Sequence, residues 1–510
     1  MGDVDPKIVR LNFVTDAVVG AKDAPEDRKG GVGGGGSSSL ERAVEFSDDG
    51  LALEFSHRHH GDHLYVATLG KWISWDGRRW KADDTENVLD LVRKSCRDAS
   101  LRSDSKNVAS AKTISAVGKL ASRDRAHAET WEAFDADDWK LNTPNGIIDL
   151  RKGEIMPHDR NARMSLITGA GLGLDCPVWR KYLSEVTAGD VELEDYLQRI
   201  AGYCLTGSIC EHKIFILVGT GLNGKSIFLN TLLGILGDYG KNAPMDVFCV
   251  SRGERHPTEL AMLKGARLVT ASEVEEGRRW DEGLIKSITG GDVITARHMR
   301  QDFFEFHPKL KLLMAVNHLP GTRSVDVAMR RRLSIIPFTR TIANPDQRLP
   351  EKLRQEWSGI LAWAVQGCLE WQKIGLSPPA AVKRETERYF EMEDAQGKWL
   401  QERCRVHVEA TATTRQLYAD WRDYAQETGE YVGSERRFSQ HLEQRGFTRR
   451  RDPKTGRRGF QGIGLITGQS ELALEGQAGG EEPPERHAGQ RAGDGIPDFG
   501  DPAGEWAPER

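Results

Sequence analysis

The feature that most constrains this chain is the run Gly219-Thr220-Gly221-Leu222-Asn223-Gly224-Lys225-Ser226, which meets every fixed position of the pattern GxxxxGK[ST]. Before it stands Lys213-Ile214-Phe215-Ile216-Leu217-Val218, whose large apolar side chains read as a buried strand. After it comes Ile227-Phe228-Leu229-Asn230-Thr231-Leu232-Leu233, compatible with a helix. Strand, glycine loop and helix together predict a phosphate-binding loop in an α/β fold. The glycines let backbone N–H groups turn inward around phosphates, and the helix N-terminus adds partial positive charge. Lys225 is expected to reach the β- and γ-phosphates from an exposed position without core packing, and the Ser226 hydroxyl to ligate a metal. The expected cofactors are therefore ATP and Mg²⁺, with Gly219 to Ser226 binding the nucleotide.

Such a loop needs a carboxylate on a neighbouring strand to hold the metal and polarise water. The run from Ala266 to Ser272 reads as a strand that ends at Glu273, where open α/β sheets bind ligands, with Glu275 and Glu276 next. Ser226 and Glu273 are the candidate metal ligands, while the division of labour between Glu273 and Glu275 stays open; a plain acidic turn is the alternative. A further strand, Leu310 to Val316, ends at Asn317, whose amide suits a γ-phosphate or the attacking water. Arg330-Arg331-Arg332 follows, ahead of the apolar run from Leu333 to Phe338. Arginine's planar fork fits a transferring phosphoryl group and is often supplied by a neighbouring subunit, so Arg331 or Arg332 is a candidate finger. Taken alone, three arginines would read as a solvated face.

A chain of 510 residues is too long for one core and suggests about three domains. Residues 1–40 end in a Gly/Ser run with the composition of flexible coil, and residues 468–510 carry too few large apolar side chains to offset their ordering entropy. Between them we expect an N-terminal domain at 41–205, a strand-helix alternating core at 206–345, a helical linker region at 346–395 and a small basic module at 396–467. The 71 basic against 76 acidic residues say little about nucleic acid, because a local basic module can hide in a near-neutral total. The 7 cysteines form no CxxC pair or His/Cys array, which argues against a disulfide framework or zinc site and for a reducing compartment. With no signal pattern and no apolar run of bilayer length, no membrane association is expected, and the reading is a soluble, cytoplasmic protein.

Several motifs recur in a recognisable order: GxGxNGKS, an apolar strand ending in Glu, KxxTGGD, an apolar strand ending in Asn, then Arg-Arg. This order resembles superfamily 3 helicases. It is more closely similar to the phage/plasmid primase C-terminal helicase family, the satellite-phage and poxvirus primase-helicase type. The matching segments are Gly219–Ser226, Gly265–Gly277, Lys286–Arg297, Lys311–Pro320 and Arg331–Phe338. Leu141–Leu150, Gly202–Gly207 and Lys71–Trp80 resemble the family's domain ahead of the ATPase, so the likeness runs from about 45 to 467. The resemblance implies an α/β P-loop NTPase of AAA+-like superfamily 3 type, with a mixed α/β N-terminal domain and a small C-terminal winged-helix domain. It further implies an ATP-dependent DNA helicase acting in replication as a ring, hexameric by family analogy, encoded by a phage, prophage or plasmid in a bacterial cytoplasm. Carried over by position, Lys225 and Ser226 match the nucleotide-binding pair, Glu273 the acidic residue, Asn317 the sensor and Arg331 or Arg332 the finger. One departure is Val274, which separates Glu273 from Glu275 where many members have adjacent carboxylates. Larger members carry a primase domain ahead of the helicase; none is expected in this chain, which leaves room for a separate primase as partner.

DNA contacts are expected at two places. Val293 to Phe306 reads as a hairpin that in superfamily 3 enzymes projects into the ring channel, where Arg297, His298 and Arg300 would follow the phosphates of a single strand. The alternative for Arg297 is an ion pair with Asp292 or Asp302. In the basic module, a helix from Thr414 and a second at Ser434–Glu443 precede a basic hairpin at 448–460. Helix, helix and wing suggest a duplex-binding winged helix, with Arg436 and Arg437 on its recognition helix and Arg449, Arg450 and Arg451 on the wing. His57-Arg58-His59-His60-Gly61-Asp62-His63 resembles a metal cluster but is read as a solvated turn, and Trp72, Trp75 and Trp80 as half-buried strand aromatics. Two rival functions remain: an initiator or loader that uses ATP as an assembly switch, and a small-molecule P-loop kinase. The kinase would need neither the arginine run nor the basic module.

Overall fold

A strand with apolar residues on both faces must be covered on both sides, and that requirement shapes the centre of this molecule. The computed structural model describes residues 45–466 apart from 104–105, 252–257, 273–276, 301, 323–325 and 452–455. The two tails expected to be unstructured, 1–40 and 468–510, lie outside the described residues. The chain divides into two units between Asp394 and Ala395.

The first unit is built on a five-stranded parallel sheet. Its strands are β1 (Ile214–Val218), β2 (Gly240–Asn242), β3 (Leu268–Ser272), β4 (Lys311–Val316) and β5 (Leu333–Pro337), in the spatial order β5-β1-β4-β3-β2. Its helices include α1 (Pro177–Val186), α2 (Val191–Leu205), α3 (Lys225–Leu236), α4 (Glu282–Gly290), α5 (Trp357–Ile374) and α6 (Ala380–Met392). Alternate strand residues enter opposite cores. Phe215, Leu217, Leu313 and Ile336 join side chains of α1, α2, α3 and α5. Ile214, Ile216, Leu312, Met314 and Ile335 join side chains of α4, α6 and a hairpin of strands Ile294–Arg297 and Phe303–Phe306. The register pairs Val218 with both Val316 and Pro337, so β1, β4 and β5 end level and the loops after β1 and β4 emerge side by side.

Ahead of the sheet, helices Asp48–His59, Asn87–Arg102 and Ala111–Ala121 pack around Phe55, Val92 and Cys96. A four-stranded sheet accompanies them, from Trp80–Ala82 through Lys71–Trp75 and His63–Val66 to Ala128–Glu129. The histidine run read as a solvated turn is one only in part: residues 60–62 form a turn with His60 and Asp62 exposed, but His57 and His59 close a helix and His63 lies buried in a strand with Nδ1 2.8 Å from Ser74 Oγ. Pairing of His63 with Ser74 across the strands carries the ring inward. Trp72 and Trp75 are half-buried, but Trp80 is fully buried and donates Nε1–H to the Arg160 carbonyl at 2.8 Å.

The second unit runs α7 (Ala395–Arg403), β6 (Cys404–Thr413), α8 (Thr414–Thr428), α9 (Glu435–Gln444), β7 (Thr448–Arg451) and β8 (Arg458–Leu465). Its antiparallel sheet has the order β6-β8-β7. Thr413 and Gln416 form a reciprocal capping box at the start of α8, and the Ser434 hydroxyl accepts from Arg437 N–H at the start of α9. Trp399, Leu417, Trp421, Phe438, Leu442, Phe460 and Ile463 form its core.

The segment 346–395 does not behave as a linker. Helix α5 buries Ile360, Leu361, Trp363, Val365 and Cys368 against the central core, because it carries apolar residues on most of its surface. It meets α2 at a crossing where glycines face backbone: a Cβ on Gly202 would stand 2.0 Å from Cys368 N, and one on Gly367 2.0 Å from the Gln198 carbonyl. At the other end of the sheet, two buried cations secure the C-terminus of α2. Arg267 Nη1 donates to the Leu205 carbonyl at 2.6 Å, and Lys311 Nζ donates to the Thr206 carbonyl and, at 3.3 Å, to that of Ser208. Cations are favoured at a helix C-terminus by its partial negative charge, although burial pulls the Lys311 pKa down to about 7. We predict that Gly202→Ala destabilises the first unit by about 1–3 kcal/mol in urea unfolding, the scale for overpacking a close contact. An unchanged midpoint would contradict the close crossing.

Candidate functional site

The site forms where the loop after β1 meets the loop after β4. Residues 219–224 turn with positive φ at Gly221 (114°), Leu222 (49°) and Gly224 (84°). Leu222 tolerates this strained conformation within a fixed loop: its carbonyl accepts Ile342 N–H at 2.9 Å, and Asn223 Nδ2 donates to the Phe338 carbonyl at 2.8 Å. Gly219 has no room for a side chain, since a Cβ would lie 2.1 Å from Asn223 Nδ2. Helix α3 then starts at Lys225 with Gly224 as its N-cap and no side-chain capping bond, leaving its first N–H groups directed at the loop.

Lys225 departs from the expectation that it is exposed. It retains 6% of its accessible surface, and its Nζ donates to the Gly219 carbonyl (2.7 Å), Asn223 Oδ1 (2.9 Å) and Asn317 Oδ1 (3.1 Å). The loop folds back over the side chain, so the ammonium is partly desolvated and burial lowers its pKa. Among the described residues, only neutral oxygens surround it. A cation beside uncapped helix N–H groups is chemically suited to a polyanion. Ser226 and Thr220 are exposed at this mouth, and Asn317 follows the end of β4, as the sequence pattern anticipates. Glu273 and Glu275 lie outside the described residues; Ser272, which precedes them at the end of β3, lines the cavity.

That cavity measures about 800 Å³. It is lined by the glycine loop with Asn317 and also by α1 and residues 342–352, including Val178, Tyr182, Ile342 and Leu349. This second part of the lining is not legible in the sequence. Tyr182 donates its hydroxyl to the Gly224 carbonyl at 2.9 Å, yet its spacing marks only an apolar helix face, so no local signal distinguishes it.

The candidate arginines separate. Arg332 is buried, at 7% exposure: Nε donates to Thr289 Oγ1 at 2.8 Å and Nη1 to the Ala328 carbonyl at 2.9 Å. Arg331 is exposed. In the hairpin, His298 and Arg300 are exposed and Arg297 is half-buried. The Arg297 guanidinium lies over the Phe303 ring (5.1 Å), the His298 ring stacks on Phe304 (5.1 Å), and Arg300 turns the tip at φ 62°. In the second unit Arg436, Arg449, Arg450 and Arg451 are exposed and Arg437 is half-buried; Arg449 pairs with Glu443, and Arg451 Nε donates to the Gly456 carbonyl at 3.0 Å. We predict that Arg332→Ala costs about 1–3 kcal/mol of stability by stranding buried partners, whereas Arg331→Ala stays within about 0.5 kcal/mol of wild type. Equal shifts in chemical denaturation would contradict the distinction.

Two family patterns match this chain: D5 N terminal like over residues 53–188, and a family of unknown function, DUF5906, over residues 217–332. Among curated proteins it is similar to the candidate helicase L207/L206 of Acanthamoeba polyphaga mimivirus, with 27% identity over 285 residues, covering 50% of this chain and 29% of that protein. It is also similar to the candidate helicase 022R of Frog virus 3 (isolate Goorha), with 24% identity over 254 residues, covering 45% and 26%. A third, the candidate helicase 184R of Invertebrate iridescent virus 6, shares 27% over 229 residues, covering 42% and 23%. The matched region thus spans less than a third of the length of these relatives. Among solved structures, the apo C-terminal region of NrS-1 overlays with a TM-score of 0.42 and 11% identity, covering 78% of this chain and 96% of that one. No helix among the described residues is long and apolar enough to cross a membrane. The two family patterns and the viral relatives together fit a phage or viral primase-helicase of D5 type.

Proposed function

We propose that this protein is an ATP-driven DNA helicase of phage or plasmid type that works in replication as a ring, hexameric by family analogy. The observation that carries this reading is Lys225: a desolvated ammonium held by neutral oxygens beside uncapped helix N–H groups, at the C-terminal edge of a parallel sheet. A triphosphate would supply the missing negative charge. The strand order, with the glycine loop after the β1 strand between β5 and β4, supports the AAA+-like P-loop reading. The viral relatives named as candidate helicases support the direction of the proposal.

In this mechanism the loop N–H groups and Lys225 bind the β- and γ-phosphates. The exposed Ser226 hydroxyl, with Glu273 or Glu275, would hold Mg²⁺, which neutralises phosphate charge. Asn317, whose Oδ1 already meets Lys225, would orient the water or the γ-phosphate. Arg331 is the finger offered to a neighbouring subunit's nucleotide, because Arg332 is engaged inside its own. The hairpin follows one DNA strand through Arg297, His298 and Arg300, contacting phosphates without reading bases. In the second unit, α8, α9 and the β7–β8 hairpin form a winged helix with α9 as recognition helix; Arg436, Arg437 and the hairpin arginines Arg449, Arg450 and Arg451 face duplex DNA.

Two measurements test these assignments. Lys225→Ala should not hydrolyse ATP. Arg331→Ala should bind ATP yet hydrolyse it roughly a thousandfold more slowly, and co-assembled mixtures of the two should regain activity that neither shows alone. Mixtures that co-assemble without rescue would exclude a finger acting between subunits. For the second unit, replacing Arg450 and Arg451 by alanine should reduce the slope of log affinity against log salt by about two, roughly one per lost phosphate contact. An unchanged slope would remove these arginines from the DNA interface.

A further inference from the structure

The contacts around Arg332 do more than disqualify it as a finger. Residues 326–332 are tied to α4 at two points on one face of that helix. Lys286 Nζ donates to Asp326 Oδ2 at 2.6 Å, and Arg332 Nε donates to Thr289 Oγ1 at 2.8 Å. Positions 286 and 289 are one helical turn apart and so face the same way. Thr289 is itself fixed: it is buried, its Oγ1–H donates to the Ile285 carbonyl at 2.7 Å, and its carbonyl lies 2.7 Å from His212 Nδ1. The Arg332 carbonyl accepts Ile214 N–H at 2.8 Å, at the first residue of β1.

This places one buried guanidinium at the junction of three elements. Arg331 is its immediate neighbour in the chain. Beyond Thr289, Gly290 and Gly291 lead within a few residues to Ile294, where the hairpin begins, and Gly291 takes φ 83°. Through Ile214 the junction reaches the strand that carries the glycine loop. A displacement of Arg331 is therefore resisted at its own backbone but passed to α4 through two polar ties, and from α4 to the hairpin.

We infer that Thr289 and Arg332 are a positioning pair that couples Arg331, where it meets a neighbour's nucleotide, to the DNA-facing hairpin of its own subunit. The inference rests on the helicase reading above and adds to it the path by which nucleotide state and DNA contact affect each other. Both side chains are buried and bond within their own chain. Their role is to hold the 326–332 segment and α4 as one body.

The test uses the full chain, a single-stranded oligonucleotide, and ATP turnover with and without that DNA. Thr289→Val keeps the shape of the side chain and removes the acceptor for Arg332 Nε. It should bind ATP and turn it over without DNA as the wild type does. The increase caused by DNA should fall by roughly fivefold or more, the lower end of coupling between distinct sites. Thr289→Ser, which restores the hydroxyl, should restore the increase. If Thr289→Val unfolds, Lys286→Met breaks the other tie and should show the same selective loss. The inference is overturned if Thr289→Val retains the DNA-dependent increase, if Thr289→Ser behaves like Thr289→Val, or if DNA-free turnover falls in the same proportion. A wild-type chain that turns over no ATP under any condition would instead remove the helicase reading, and the coupling with it.

Discussion

The position of the Lys225 ammonium is the constraint on which the rest of the site depends. A charge taken out of water is costly unless it is paired, and here the described partners are two amide oxygens and a carbonyl. Each partner belongs to a different part of the loop system. Gly219 opens the loop, Asn223 is anchored to the carbonyl of Phe338 beyond β5, and Asn317 ends β4. Moving any of these strands would leave the ammonium with fewer acceptors. The loop, the sheet register and the site are therefore one arrangement, and the electrostatic deficit at its centre is what an anionic ligand would fill.

The sheet alone does not hold this arrangement. Helix α1 supports the loop from outside, through Tyr182 and its bond to the Gly224 carbonyl. The adjoining α2 is fixed at its C-terminus by Arg267 and Lys311, the cations at the start of β3 and β4, and along its length by the glycine crossing with α5. Glu356, just before α5, accepts from the N–H groups of Val178 and Trp179 at the start of α1. Segments on both sides of the sheet in sequence thus meet over the glycine loop. The cavity is shared among them and does not belong to the sheet loops alone.

What could be read from the chain follows from how local the causes are. The apolar runs of β1, β3, β4 and β5, the helix after the glycine loop and the hairpin at 293–306 were legible because periodicity and glycine placement act within a few residues. The same holds for α8, α9 and the basic hairpin of the second unit. The burial of Lys225 escapes a pattern reading because the loop folds back over the side chain and a third acceptor, Asn317, comes from far along the chain. The different settings of Arg331 and Arg332 are not legible in the chain because the burial of Arg332 depends on Thr289, on a separate helix. The segment 346–395 reads as a linker because charged stretches flank α5, whose apolar surface is covered by elements far away in the chain, α1 and α2 among them. The histidine run misled because a helix end and a strand start share it.

On the proposed function, nucleotide chemistry at Lys225 drives movement on DNA. Strand displacement from a forked DNA by the full chain, compared with ATP, with a non-hydrolysable analogue and without nucleotide, tests it most directly. Displacement is expected with ATP and none in the other two conditions. ATP consumption without displacement would contradict it, and would instead favour a protein that uses nucleotide as an assembly switch on DNA.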